Sequence, residues 1–152
     1  MGTDTKEKES LKEEMTSVIE EARMVIPGIQ ALFGFQTMAV FNSRFEGLPD
    51  PGRWAYLVAL GLLALAMGLL MTPAAYHRLA ERGQVSRKMT DLSSNLITAG
   101  MIPLMLAFAL DVYVVILAAV NNAMLGVFGG IATACVLAGL WFWFPWAQKR
   151  PA

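Results

Sequence analysis

A nearly unbroken apolar run from Leu92 to Val120 sets the terms for the whole chain. It exceeds the roughly 20 residues needed to cross the hydrocarbon of a bilayer. Two further runs, Trp54 to Thr72 and Ala123 to Phe144, are shorter, at 19 and 22 residues, and have even fewer polar residues. Backbone polar groups in lipid must be satisfied within the segment, so each run is predicted to be a membrane-crossing helix. Together with a less uniform stretch at 22–44, they predict an all-α, polytopic membrane protein. The expected architecture is a four-transmembrane-helix bundle preceded by an N-terminal amphipathic helix.

Composition agrees with that class. The 152 residues are 56% hydrophobic and 16% charged, a balance far from that of a soluble domain. Lys plus Arg and Asp plus Glu are equal at 12 each. That equality leaves no basic surface of the kind nucleic acid requires. The single cysteine, Cys135, lies in an apolar run and reads as a small buried hydrophobe. The acidic opening MGTDTKEKESLKEEM lacks the charged-then-apolar layout of a cleaved signal peptide.

The stretch at 22–44 differs from the others. Arg23, Gln30, Thr37 and Arg44 recur every seven residues. Seven residues drift only about 20° on a straight helix, so the four side chains share one stripe. Polar groups in hydrocarbon are costly without partners. The stripe is therefore expected to face other helices or a wet cavity, and it marks a candidate ion pathway.

Ahead of it, Leu11, Met15, Val18, Ala22, Val25, Ile29 and Leu32 form a 3-4 pattern that continues into the first span. This predicts one long helix with a bend at Pro27. The surplus of Glu on its polar face would be repelled by anionic headgroups, so a protein partner is the expected contact. A solvated leader with one apolar face is the plainer alternative. The domain reading is 1–21 as a cytoplasmic N-terminal helix, 22–146 as the transmembrane domain and 147–152 as a cytoplasmic tail. EGLPDPG is a turn, Pro73 is expected to close span two, and Asn121 and Asn122 form a short turn before span four. Ten of the 12 basic residues fall on one side of this arrangement, and Arg44 and Arg53 on the other. The positive-inside rule then puts both termini in the cytoplasm.

No catalytic spacing is present: no HExxH, GxSxG or P-loop, and only one histidine. The chain therefore does not read as an enzyme, and no cofactor or metal is implied. His77 sits where span two leaves the membrane, at the depth expected for Glu21 and Arg23. Glu21, His77 and Arg78 together suggest a cytoplasmic gate or a simple clasp. Asp111 is the one acid deep in an apolar run. Aligning Arg23 with Ser93 brings Asp111 and Arg44 to similar depth, where a structural ion pair and a role on the ion path are both open. The pairs Met67/Met71 and Met101/Met105 have a spacing that can hold Cu(I), but no Cys or His stands beside them, and gap-filling is the ordinary role of Met. Gly126, Gly130, Ala134 and Ala138 form a small-xxx-small face on span four, suited to close helix approach within the bundle or between subunits. Ala64, Gly68 and Thr72 make a weaker copy. Four spans enclose little interior alone, so a homo-oligomer in the lipid bilayer is expected.

The segments EARMVIPGIQALFGFQ, FNSRF and MTPAAYHR resemble a family of small four-span bacterial membrane proteins catalogued as a domain of unknown function. The resemblance runs from Glu21 onward. It implies four helices and the bacterial cytoplasmic membrane. Some members carry a loose sodium:proton antiporter label, whereas familiar exchangers are longer, with discontinuous helices and buried aspartates. The two functional expectations are an oligomeric ion channel or transporter lined by the first span, and a structural or regulatory membrane protein or accessory subunit without transport activity.

Overall fold

The computed structural model describes residues 2–79 and 87–148. Every regular element among them is helical: α1 (Gly2–Ala39), α2 (Ser43–Glu46), α3 (Asp50–Leu79), α4 (Arg87–Val120) and α5 (Ala123–Ala138). A π-helical turn (Gly139–Trp143) then leads into α6 (Phe144–Gln148). Three stretches are long and apolar enough to cross a membrane: Asp50–Tyr76, Thr90–Val120 and Ala123–Gln148. Arg23, Gln30 and Gln36 keep the second half of α1 less apolar than these three.

The expected continuity of the N-terminal segment with the stretch from residue 22 is seen as a single 38-residue α1 with Pro27 inside it. Its end differs from the expected one. The bonds from Phe41 N to Met38 O (3.2 Å) and from Asn42 N to Ala39 O (3.0 Å) tighten the chain into a turn. Asn and Ser favour helix caps over helix interiors, and Asn42-Ser43 stands at this break. Arg44 therefore belongs to α2 and does not extend the stripe on α1.

Pro73 also departs from expectation, because α3 continues through it to Leu79. Proline within a membrane helix is tolerated where neighbouring groups re-satisfy the backbone. Pro73, which leaves Leu69 O without its usual donor, is buried against the bundle; the neighbouring Thr72 Oγ1 bonds Gly68 O at 2.8 Å. Pro103 is likewise accommodated inside α4. The Asn121-Asn122 turn is as expected. Asn121 takes φ 53°, which Asn tolerates, and Asn122 caps α5 by accepting from Leu125 N at 3.0 Å.

The antiparallel pair α3 and α4 is the centre of the bundle, with α5 on one side of α4 and α1 lying mainly against α3. On α3 the buried positions are Gly52, Tyr56, Ala59, Leu63, Ala66, Leu70 and Pro73. These alternate steps of four and three, the seam of a left-handed helix pair. The facing seam on α4 runs Thr90, Ser93, Ile97, Gly100, Leu104, Ala107, Asp111 and Val114. Small residues at Ala59, Ala66, Gly100 and Ala107 let the two backbones approach. A Cβ on Gly100 would lie 3.2 Å from Leu70 Cγ. Two apolar clusters result. The larger joins Ile29, Leu63, Ala66, Leu70, Leu104 and Ala107. The smaller joins Leu48, Tyr56, Val114 and Leu117, with Phe45 packed against it.

The small-residue face of α5 is used within the chain. A Cβ on Gly126 would lie 3.0 Å from Tyr113 O, and one on Gly130 would lie 2.8 Å from Ala109 O. Gly126 and Gly130 are thus occupied by α4, and the room they make is for α4 backbone. Ala134 and Ala138 are half-buried farther along α5. The weaker face on α3 is open, since nothing lies within 4 Å of a Cβ on Gly68.

Candidate functional site

The most distinctive polar contact joins α1 to α4. The side-chain Nε2 of Gln36 donates to Oδ1 of Asp111. Gln36 is buried, with 6% of its surface exposed, and Asp111 is half-buried. The position of Gln36 follows from the apolar pattern of α1. Continuing the 3-4 series beyond Leu32 by four residues reaches position 36. Ile29 and Gln36 are buried and Leu32 is half-buried, so these three face α3 and α4. An amide thus occupies a place where the pattern calls for an apolar side chain.

The contact also fixes register. Aligning Arg23 with Ser93 implies an offset of 93 − 23 = 70 residues, but Gln36 and Asp111 are 75 apart. Asp111 therefore lies level with Gln36 near the end of α1. The ordered partner of the carboxylate is Gln36, on the helix itself. The side chain of Arg44 lies outside the described residues, and with it the expected Asp111–Arg44 pair.

Tyr56, on the α3 seam, completes the neighbourhood. It is 5% exposed and packs with Val114, one turn from Asp111 on α4. Its ring meets Phe45 edge-on, with centroids 5.1 Å apart and planes at 64°. Phe45 and Leu48, in α2 and the turn after it, roof this end of the bundle. Arg53 holds the roof by donating to the carbonyl of Glu46. Two atoms here have no hydrogen-bond partner: Gln36 Oε1 and the Tyr56 hydroxyl. Both are buried. Sequence reasoning missed both residues. The extended 3-4 series was the signal for Gln36. For Tyr56 it was a tyrosine at the four-and-three spacing of the α3 seam.

The expected stripe lies elsewhere. Arg23, Gln30 and Thr37 are all exposed, on the side of α1 turned away from α3 and α4. Thr37 satisfies its hydroxyl locally by bonding Phe33 O at 2.8 Å. The stripe and Asp111 are thus on different faces of α1, and the structure does not bring them into one site. Glu21 is exposed beside an apolar groove of about 250 Å³ lined by Met24, Leu70, Met101 and Trp141. His77 and Arg78 belong to α3, but their side chains lie outside the described residues, so the Glu21–His77 clasp does too. Met67 packs on the larger core cluster, as expected of a gap-filling side chain. Among the described residues no three His, Cys, Asp or Glu side chains gather as a metal site.

Among the described residues three helices are long and apolar enough to cross a membrane, which marks an α-helical membrane protein. The chain belongs to a family of unknown function, DUF6328, which matches residues 4–145. No curated protein matches it. No solved structure matches it either.

Proposed function

We propose that the protein is a homo-oligomeric ion channel or transporter of the bacterial cytoplasmic membrane, with α1 lining the pathway between copies. In this reading the second half of α1 is a fourth span and both termini are cytoplasmic. The observation that carries the proposal is the exposure of Gln30. It lies nine residues before the end of α1, on the face turned away from α3 and α4. Lipid on that face would leave a primary amide without a partner. A water-filled path between copies, edged by Arg23, Gln30 and Thr37, supplies one. The test is ion flux from purified protein in liposomes. Gln30→Leu replaces a polar wall with a dewetting one, so flux should collapse while the oligomer persists. Normal flux through Gln30→Leu, or no flux from the wild type across several ions, removes this reading.

The length of α1 favours a second reading. Its 38 residues extend about 57 Å, nearly twice a hydrocarbon core of about 30 Å. Its Glu-rich first half would then stand in water as a docking helix. On that reading the protein is an accessory or regulatory subunit, and partner capture through residues 1–21 replaces flux as its activity.

A further inference from the structure

We propose that Asp111, Gln36 and Tyr56 form a binding site for one monovalent inorganic cation. The site lies inside a single chain, and it stands or falls independently of conduction along the outer face of α1.

The argument begins with charge. Asp111 sits in the apolar seam between α3 and α4, and among the described residues no Arg or Lys pairs with it. The other acids described on or beside the spans, Glu46, Asp50 and Asp91, are exposed at helix ends. A carboxylate in such a seam is costly unless a countercharge or a set of donors meets it. Gln36 supplies one donor, Nε2. Fixing the amide by that bond commits its other atom, Oε1, to accepting, yet Oε1 is buried without a partner. The Tyr56 hydroxyl, on the facing α3 seam and packed with Val114 one turn from Asp111, is also buried without one. Two unsatisfied oxygen-bearing groups at one end of the seam are rare in a folded interior, where buried polar atoms are nearly always paired.

A cation resolves all three at once. It neutralises Asp111 and takes lone pairs from Gln36 Oε1 and the Tyr56 oxygen. The donor set decides the class of ion. Oxygen ligands suit hard cations, and a site with a single carboxylate balances a single positive charge. The absence of any three-residue His, Cys, Asp or Glu group among the described residues argues against a transition metal. The apolar roof of Phe45 and Leu48 keeps this end of the seam in low dielectric, which strengthens ion–ligand attraction.

The experiment uses the full-length protein in detergent or nanodiscs, with chloride salts of sodium, potassium, lithium and choline at equal ionic strength. A ligand that binds only the folded state raises its stability by mass action. At least one alkali cation should raise the melting temperature above that in choline, in a saturable manner, and isothermal titration should give one site per chain. Asp111→Asn should abolish the response. Tyr56→Phe, which removes one oxygen and almost no volume, should weaken binding about ten-fold, the loss of one modest ligand contact. Gln36→Glu, which adds a second carboxylate, should shift the preference towards calcium. Equal melting of the wild type in all four salts with no titratable site overturns the proposal, and needs no variant to fold. An alkali response that survives intact in both Tyr56→Phe and Asp111→Asn places the ion elsewhere and also overturns it.

Discussion

Gln36 on α1 donates to Asp111 on α4 across 75 residues of sequence, while Gln30, six residues earlier, is exposed on a different face of the helix. The two glutamines are chemically identical and sit on one helix. Their difference is one of facing: six residues turn the helix through about 600°, leaving the pair roughly 120° apart around the axis. One amide fastens α1 to the bundle, and the other is offered to whatever lies outside.

This difference should appear in stability. Gln36→Ala leaves a buried carboxylate without its donor, at a cost of about 1–3 kcal/mol. Gln30→Ala, on the exposed face, should change the stability of the single chain by less than about 0.5 kcal/mol. Reversible unfolding of the two variants in mixed micelles compares them directly. Equal losses would mean that the Gln36–Asp111 contact adds nothing to the hold of α1 on the bundle.

Glycine substitutions separate packing inside the chain from packing outside it. Gly130→Leu drives a side chain into Ala109 O, which a Cβ alone would meet at 2.8 Å. Overpacking of this kind costs about 1–3 kcal/mol, and the melting temperature should fall whatever the oligomeric state. Gly68→Leu meets nothing within 4 Å of its Cβ in the chain. It should leave thermal stability near that of the wild type. Cross-linking of the same two variants reports self-association. A monomeric wild type in mild detergent would end the oligomer proposal.

The turn before α5 gives a local test. Asn122→Ala removes the side-chain acceptor for Leu125 N and should cost about 1 kcal/mol. Asn121→Gly, at a residue with φ 53°, relieves a left-handed conformation and should be neutral or slightly stabilising. Thermal denaturation of each variant checks the order. An Asn122→Ala protein as stable as Asn121→Gly would show that the cap adds nothing.

Orientation is tested by single cysteines in a Cys135-free background. Asp50 is 87% exposed at the start of α3, so the Asp50→Cys variant should react with an impermeant thiol reagent added outside cells. The Gly83→Cys variant, at a position outside the described residues, should react only after permeabilisation. The opposite pattern inverts the topology derived from the basic residues.

Hydropathy and turn chemistry determined the helical class, the three long apolar helices and the Asn121-Asn122 turn. Run length and turn chemistry act locally and need no partner to be read. The 3-4 series on α1 was equally legible, and one more step of it reaches Gln36. The seven-residue stripe through Gln30 was a competing pattern on the same helix, and sequence offered no way to choose between them. In water an apolar face points inward, but lipid is as apolar as a protein core, so periodicity in a membrane helix says which residues share a face and not where that face points. Only the packing of α1 on α3 and α4 decided that Gln36 is inside and Gln30 outside. The small-residue face of α5 has the same history: spacing announced a close approach, and the tertiary structure assigned it to Ala109 and Tyr113 of α4. Arg44 left the stripe because the helix ended at Ala39. Tyr56 came beside Asp111 because antiparallel seams on α3 and α4 bring residues distant in sequence to one level, and that register is set by how side chains of both helices interlock.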